Sequence, residues 1–216
     1  MSNIASYIDH TILAANGKAK MVSKICQEAR ENQFASVCVN SYRVSQVKKE
    51  LGNCGVKVCS VVGFPLGAMS TQAKAFEAKQ AIKDGADEID MVINIGLIKD
   101  KNFEEVLNDI KTVKEACNGN LLKVIIETCL LNDEEKIIAC NLSKQAGADY
   151  VKTSTGFSTG GAKAEDVALM RKIVGSIIGV KASGGVHSFN EANALIKAGA
   201  SRIGASSGIK IIKESL

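Results

Sequence analysis

Two lysines sit inside apolar strand patterns of this 216-residue chain, where an ammonium is costly. They are Lys152, in Tyr150-Val-Lys-Thr-Ser-Thr-Gly156, and Lys181, in Val180-Lys-Ala-Ser-Gly-Gly185. Each follows a β-branched residue and precedes small hydroxyl and glycine residues. A lysine is almost never fully buried without a partner. Two buried together repel, and each lowers the other's pKa. A lysine that loses its proton near neutral pH is an amine nucleophile, able to form a Schiff base with a carbonyl. Bringing it from about 10.4 to near 7 takes roughly 4–5 kcal/mol, which burial and a neighbouring ammonium can supply. One lysine then attacks while the other stays charged. The iminium is an electron sink, so a carbon–carbon bond beside the former carbonyl can break or form. A nearby carboxylate would move the protons. This chemistry needs no metal and no other cofactor.

Those residues must be positioned by regular elements. Apolar strand patterns run over 4–9, 34–40, 56–63, 88–94, 121–128, 150–155, 178–183 and 202–206. Helical patterns fill the gaps at 18–32, 42–51, 71–84, 103–117, 134–146, 164–175, 189–198 and 208–214. Val106, Ile110 and Val113, for example, recur on one helical face. A Gly-Ala phrase recurs where helices end and strands begin, at 84–89, 146–151 and 198–203. Glycine supplies the left-handed turn needed there. Eight strand–helix units with short connections imply a parallel sheet, and eight units close a single-domain (β/α)8 TIM barrel over residues 1–216. The competing architecture is an open doubly wound sheet, but no GxGxxG opens the first helix.

Side chains alternate along a strand. In four consecutive strands one set is apolar: Ile89, Met91 and Ile93; Leu122, Val124 and Ile126; Val151 with Thr153; Val180 with Ala182. The other set carries Asp90, Lys123, Glu127, Lys152, Ser154, Lys181 and Ser183. The apolar set should face the helices and the polar set the barrel interior. Charges there must pair or act. A purely structural ion-pair network is one reading, with Lys123 and Glu127 its leading members. The functional reading gathers Asp90, Lys152 and Lys181 towards the strands' C-terminal ends, where barrel active sites lie. Glycine-rich ends follow strands six to eight, at Thr155-Gly156, Gly184-Gly185 and Gly204-Ala-Ser-Ser-Gly208. Barrel phosphate sites use such loops.

Thr11, Cys38, Thr155 and His187 are further candidates for the pocket wall. Cys38 shares a strand face with Asn40, although an inert buried thiol is the simpler role. His10 is either a base or a hydrogen-bonding cap. Gly63-Phe-Pro-Leu-Gly67 reads as a rigid loop that shapes the pocket, or merely a tight turn.

The chain has a net charge of +4 and 4% aromatic residues, with its basic residues dispersed, so no nucleic-acid surface is indicated. No apolar run reaches the roughly 20 residues of a membrane span, and no signal peptide is visible. Seven scattered cysteines without a CxxC pair point to reduced thiols in a cytoplasmic protein, and only two histidines argue against a histidine metal site.

Ile8-Asp-His-Thr11, Ser36-Val-Cys-Val-Asn40, Val61-Val-Gly-Phe-Pro-Leu-Gly67, Glu88-Ile-Asp-Met-Val-Ile-Asn94, Leu122-Lys-Val-Ile-Ile-Glu-Thr128, Val151-Lys-Thr-Ser-Thr-Gly-Phe157, Val180-Lys-Ala-Ser-Gly-Gly-Val186 and Arg202-Ile-Gly-Ala-Ser-Ser207 follow in that order. By these motifs the chain resembles the deoxyribose-phosphate aldolases, class I aldolases, nearly end to end. The resemblance implies reversible cleavage of 2-deoxyribose 5-phosphate to glyceraldehyde 3-phosphate and acetaldehyde, with small sugar phosphates and aldehydes as partners. It implies Lys152 as the Schiff-base lysine, Lys181 as the lysine that perturbs it and relays protons, and Asp90 as the acid/base. It also implies Gly156, Gly184, Gly185, Ser206 and Ser207 as the phosphate-binding region, and a homodimer or homotetramer. The alternatives are another lysine aldolase acting on a related sugar phosphate, and a sugar-phosphate-binding barrel without activity.

Three places depart from the common family pattern. Ile12-Leu-Ala-Ala15 stands where many members have Leu-Leu-Lys-Pro, Asn40-Ser41 where many have Asn-Pro, and His187 where arginine is frequent. A neutral imidazole is a weaker anion partner than arginine. Substrate binding is therefore expected to weaken as pH rises through about 6–7. A Michaelis constant followed from about pH 5.5 to 8 checks this, and a flat profile contradicts it.

Overall fold

Short segments rich in valine and isoleucine pair edge to edge, and the amphipathic segments between them cover the outside. The computed structural model describes residues 4–216. Its strands are β1 (Ile8–Ile12), β2 (Ser36–Val39), β3 (Lys57–Val62), β4 (Glu88–Val92), β5 (Leu121–Ile125), β6 (Tyr150–Lys152), β7 (Gly179–Ser183) and β8 (Arg202–Ala205). All pair in parallel in chain order, and β8 pairs with β1 to close the barrel. The helices are α1 (Ala19–Asn32), α2 (Val44–Leu51), α3 (Thr71–Lys83), α4 (Ile95–Lys99), α5 (Phe103–Ala116), α6 (Asp133–Gln145), α7 (Ala164–Val174), α8 (Phe189–Lys197) and α9 (Gly208–Lys213). The expected (β/α)8 barrel is the observed fold.

Three helices end alike. After α3, α6 and α8 the amides of Ala86, Ala148 and Ala200 reach back to the carbonyls of Ala81, Ser143 and Leu195. The glycines before them, Gly85, Gly147 and Gly199, have φ of 109°, 80° and 115°. Glycine takes such values without a steric penalty, so the recurring Gly-Ala phrase is a repeated helix stop.

The two faces of the strands separate as their alternation requires. Ile89, Met91, Ile93, Leu122, Val124, Ile126, Val151, Val180 and Ala182 belong to the large core shared with the helices. The alternate residues fill the barrel interior, where Leu13, Cys38, Cys59 and Val61 form a small apolar cluster of their own. Asp90, Lys123, Lys152 and Lys181 occupy the rest of that interior.

Some boundaries differ from the sequence reading. The first strand is Ile8–Ile12, because Ile4–Tyr7 forms a 3-10 turn that buries Ile4 and Ala5 in the core. The fifth strand stops at Ile125, since Glu127 adopts a left-handed backbone. The short helix α4 was not expected; Asn94 caps it by accepting from the Leu97 amide. Among the described residues no helix is long and apolar enough to cross a membrane.

Away from the barrel interior, Lys74 on α3 is fully buried and donates to Asp109 on α5 at 2.6 Å. Burial pushes the Lys74 pKa down and Asp109 opposes the shift. Lys74→Ala leaves Asp109 buried without its cation and is expected to cost about 3–5 kcal/mol by chemical denaturation. Lys74→Met combined with Asp109→Leu should recover most of that loss. Equal losses in the single and double variants would contradict the pairing.

Candidate active site

The register of the strands decides which charges meet. Lys152 and Lys181 are direct partners across β6 and β7, and Asp90 is the partner of Lys123 across β4 and β5. All four side chains point inward and are nearly or fully buried. Asp90 divides its two oxygens. Its Oδ2 accepts from Lys152 Nζ at 2.8 Å and from Lys181 Nζ at 2.7 Å. Its Oδ1 accepts from Lys123 Nζ at 2.9 Å and from the Cys59 thiol at 3.1 Å.

A second set of charges supports the first from the N-terminal side of the strands. Lys181 also pairs with Asp9 at 2.5 Å, and Lys123 donates to Glu88 at 2.5 Å. Arg202 closes the ring, bonding Asp9 at 2.6 Å and Glu88 at 3.2 Å. Ser36 gives Asp9 a further bond at 2.7 Å. Gly204 makes room for this, because a Cβ there would lie 3.0 Å from Lys181 Cε and 2.8 Å from Ser183 Cβ.

Burial alone would raise the Asp90 carboxyl, but the ammoniums of Lys123, Lys152 and Lys181 outweigh it and hold Asp90 well below the usual carboxylate range. Asp9 is likewise held low against burial, by Lys181, Lys123 and Arg202. Burial would lower Lys181, yet Asp9 and Asp90 raise it above the ordinary ammonium value. For Lys181 this corrects the expectation of a lowered pKa: the carboxylates of Asp9 and Asp90 outweigh burial and the neighbouring ammonium of Lys123.

A cleft of about 390 Å³ opens above this network. Thr11, Lys152, Thr155, Gly156, Gly184, Gly185, His187 and Ser206 line it. Lys181 does not. A larger depression of about 980 Å³ lies elsewhere, beside Ile4–Tyr7, α8 and α9, and is lined by none of the candidate site residues. The amides of Gly156, Gly184, Gly185, Ser206 and Ser207 make no hydrogen bond to other described residues. They are donors without acceptors, gathered at one rim, as an anion site requires. Phe157 packs edge-on against Phe64 of the Gly63–Gly67 loop, with centroids 5.2 Å apart, and walls the mouth.

The candidates divide as follows. Asp90, Lys152 and Lys181 meet in hydrogen-bonding contact. Ser207 lies just outside the cleft wall, its hydroxyl 3.4 Å from His187 Nδ1. Cys38 is buried within the barrel, in register with Cys59, and does not reach the cleft. His10 turns away from the interior, its Nε2 2.7 Å from Glu28 on α1. Lys123 and Glu127 are both in buried polar networks but not with each other: Lys123 serves Asp90, and Glu127 serves Thr155. Asp9, Glu88 and Arg202 were missed. Alternation applied to 8–12 rather than 4–9 would have put Asp9 and Thr11 inside and His10 outside.

Cys38, Cys59 and Asp90 each present an atom within 4.8 Å of the others, a spacing a metal could use. The donors do not suit one. Three ammoniums already bond to this Asp90, and burial holds the Cys59 thiol well above its ordinary pKa.

Comparison with known proteins finds relatives over nearly the whole chain. The model of the DeoC/LacD family aldolases matches residues 3–214. A deoxyribose-phosphate aldolase of Finegoldia magna is 63% identical over 96% of this chain and 97% of its own. One of Clostridium tetani is 60% identical over 98% of this chain and 99% of its own. The tetrameric deoxyribose phosphate aldolase structure from Aeropyrum pernix superposes with a TM-score of 0.91 at 33% identity, covering 97% of this chain and 89% of that one.

The buried charges set a pH window for stability. Asp9 and Asp90 have folded pKa values below the unfolded value of about 3.9, so their contribution is present above it and lost as pH falls through the folded values. Lys123 and Lys181 are raised, so theirs is full below about 10.4 and lost as pH rises through the folded values. The melting temperature is expected to hold a plateau from about pH 5 to 10 and to drop on both sides. A maximum near pH 4 would contradict this network.

Proposed function

Because the chain belongs to the DeoC/LacD aldolase family, we propose that it cleaves 2-deoxy-D-ribose 5-phosphate reversibly to D-glyceraldehyde 3-phosphate and acetaldehyde, through a Schiff base on Lys152. Its place is deoxyribonucleotide catabolism. One observation carries the assignment of the lysine: both Lys152 and Lys181 bond to Asp90 Oδ2, and only Lys152 lines the cleft. Charge balance supports it. Four cations (Lys123, Lys152, Lys181, Arg202) face three carboxylates (Asp9, Glu88, Asp90). The cluster is balanced when one lysine is neutral, and Lys152 is the one that a substrate can reach.

The neutral amine of Lys152 attacks C1 of the open-chain sugar, and the carbinolamine loses water to give an iminium. A base takes the proton of the C3 hydroxyl, the C2–C3 bond breaks, and its electron pair enters the iminium to give an enamine. Glyceraldehyde 3-phosphate departs. A proton returns to C2, and water releases acetaldehyde and the free lysine. Asp90, kept ionised at rest, receives a proton and passes it on, with Lys181 as the charged neighbour that supplies and recovers it. The uncommitted amides of Gly156, Gly184, Gly185, Ser206 and Ser207 hold the 5-phosphate, with His187 at the rim. The Aeropyrum pernix tetramer supports a homo-oligomer, and seven free thiols support a cytoplasmic setting.

Borohydride reduction in the presence of acetaldehyde tests the assignment. We expect one two-carbon adduct, mapped to Lys152 and absent in Lys152→Leu. Lys181→Leu should form it roughly 100-fold or more slowly, the scale of a lost proton-transfer group. An adduct on Lys181 would overturn the division of roles. No adduct would favour a sugar-phosphate-binding barrel, and an adduct without cleavage of deoxyribose 5-phosphate a different lysine aldolase.

A further inference from the structure

Glu127 is in an expensive position that the proposed reaction does not use. It follows β5 with φ 54° and ψ 67°, a left-handed backbone that disfavours residues carrying a Cβ. Its side chain is 2% exposed. Among the described residues all its side-chain partners are neutral. Thr155 donates its amide to both carboxylate oxygens at 3.2 and 3.3 Å, and its hydroxyl to Oε2 at 2.5 Å. The Cys129 thiol is 3.9 Å from Oε1. Burying a carboxylate without a cation is costly.

The backbone around it explains the reach. The Ile126 amide bonds to the Lys152 carbonyl and the Thr128 amide to the Thr153 carbonyl, so both sides of Glu127 stay stitched to the β6 segment. The left-handed residue between them bulges and sends its carboxylate towards Thr155. Thr155 is fixed by three contacts at once, because its Oγ1 also accepts from the Phe157 amide at 3.0 Å. That geometry commits the amides of residues 155 and 157 to the protein and leaves the amide of Gly156, a residue that lines the cleft at φ 82°, without an acceptor among the described residues.

A glycine at 127 would relieve both the backbone and the burial. A carboxylate behind an anion site also weakens that site electrostatically. Both costs point to a geometric gain. We propose that Glu127 is a positioning residue for phosphate recognition: it clamps Thr155 so that the Gly156 amide meets the substrate's 5-phosphate at a fixed distance from Lys152. This rests on the proposed reaction for the identity of the phosphate's owner, but not for the anion site itself.

Glu127→Gly and Glu127→Gln test it, the first free of backbone strain and the second keeping shape while replacing one acceptor by a donor. Glu127→Gly should melt at or above the wild-type temperature. Its affinity for inorganic phosphate, by titration calorimetry, should fall about tenfold, the scale of one hydrogen bond to a charged group. The loss in kcat/KM should be about tenfold greater for deoxyribose 5-phosphate than for unphosphorylated 2-deoxyribose. Glu127→Gln should shift the same two quantities in the same direction. Unchanged phosphate affinity, or equal losses on both sugars, would overturn the proposal. If the wild type cleaves neither sugar, the reaction assignment fails, and the phosphate titration still decides the role of Glu127.

Discussion

One carboxylate without access to solvent organises the site. Asp90 accepts from three lysines and a thiol, and it does so with unequal oxygens. Oδ1 is bound from the interior by Lys123 and Cys59, and Oδ2 faces the two lysines of β6 and β7. A buried ion is tolerated only when its attraction to partners outweighs the loss of water. Here the partners come from four other strands, β3, β5, β6 and β7, so the barrel must close in one register for the charges to be satisfied. Slipping a strand by one residue would turn its lysine out into the apolar layer beneath the helices.

Asp9, Glu88 and Arg202 extend the same constraint. Lys181 is held from two sides, by Asp90 and Asp9, and this fixes it as a charged group. Lys152 has one carboxylate and an open side towards the cleft. The two lysines, equivalent by local sequence, are made unequal by their surroundings. In the proposed reaction that asymmetry separates the nucleophile from the proton relay.

Much of this is legible in the sequence because a strand's period is two. Asp90, Lys152 and Lys181 each interrupt an apolar strand on the same side, and that pattern predicts their meeting. Glycines at the ends of the last three strands likewise predict an anion rim. Other features carry no local signal. Asp9 is hidden by an apolar Ile4-Ala5 pair that extends the apparent strand but packs as a 3-10 turn. Reading Lys123 and Glu127 as members of one ion-pair network assumes that β5 continues to residue 128, and a left-handed glutamate breaks that assumption. No propensity marks glutamate for that conformation, so its link to Thr155 emerges only when β5 and β6 are seen side by side. The sharing of Asp90 is a tertiary fact, set by register across four strands, and with Asp9 it outweighs at Lys181 the depression that a like charge brings.

The central claim is that Asp90 couples the two lysines. Its most direct test is single-turnover imine formation with labelled acetaldehyde, followed by rapid quench and borohydride, in the wild type and in Asp90→Asn. The amide keeps the shape of the carboxylate but removes its charge and its capacity to take a proton. The account predicts a folded variant whose imine forms at Lys152 roughly 100-fold or more slowly. Imine formation at the wild-type rate in Asp90→Asn would contradict it.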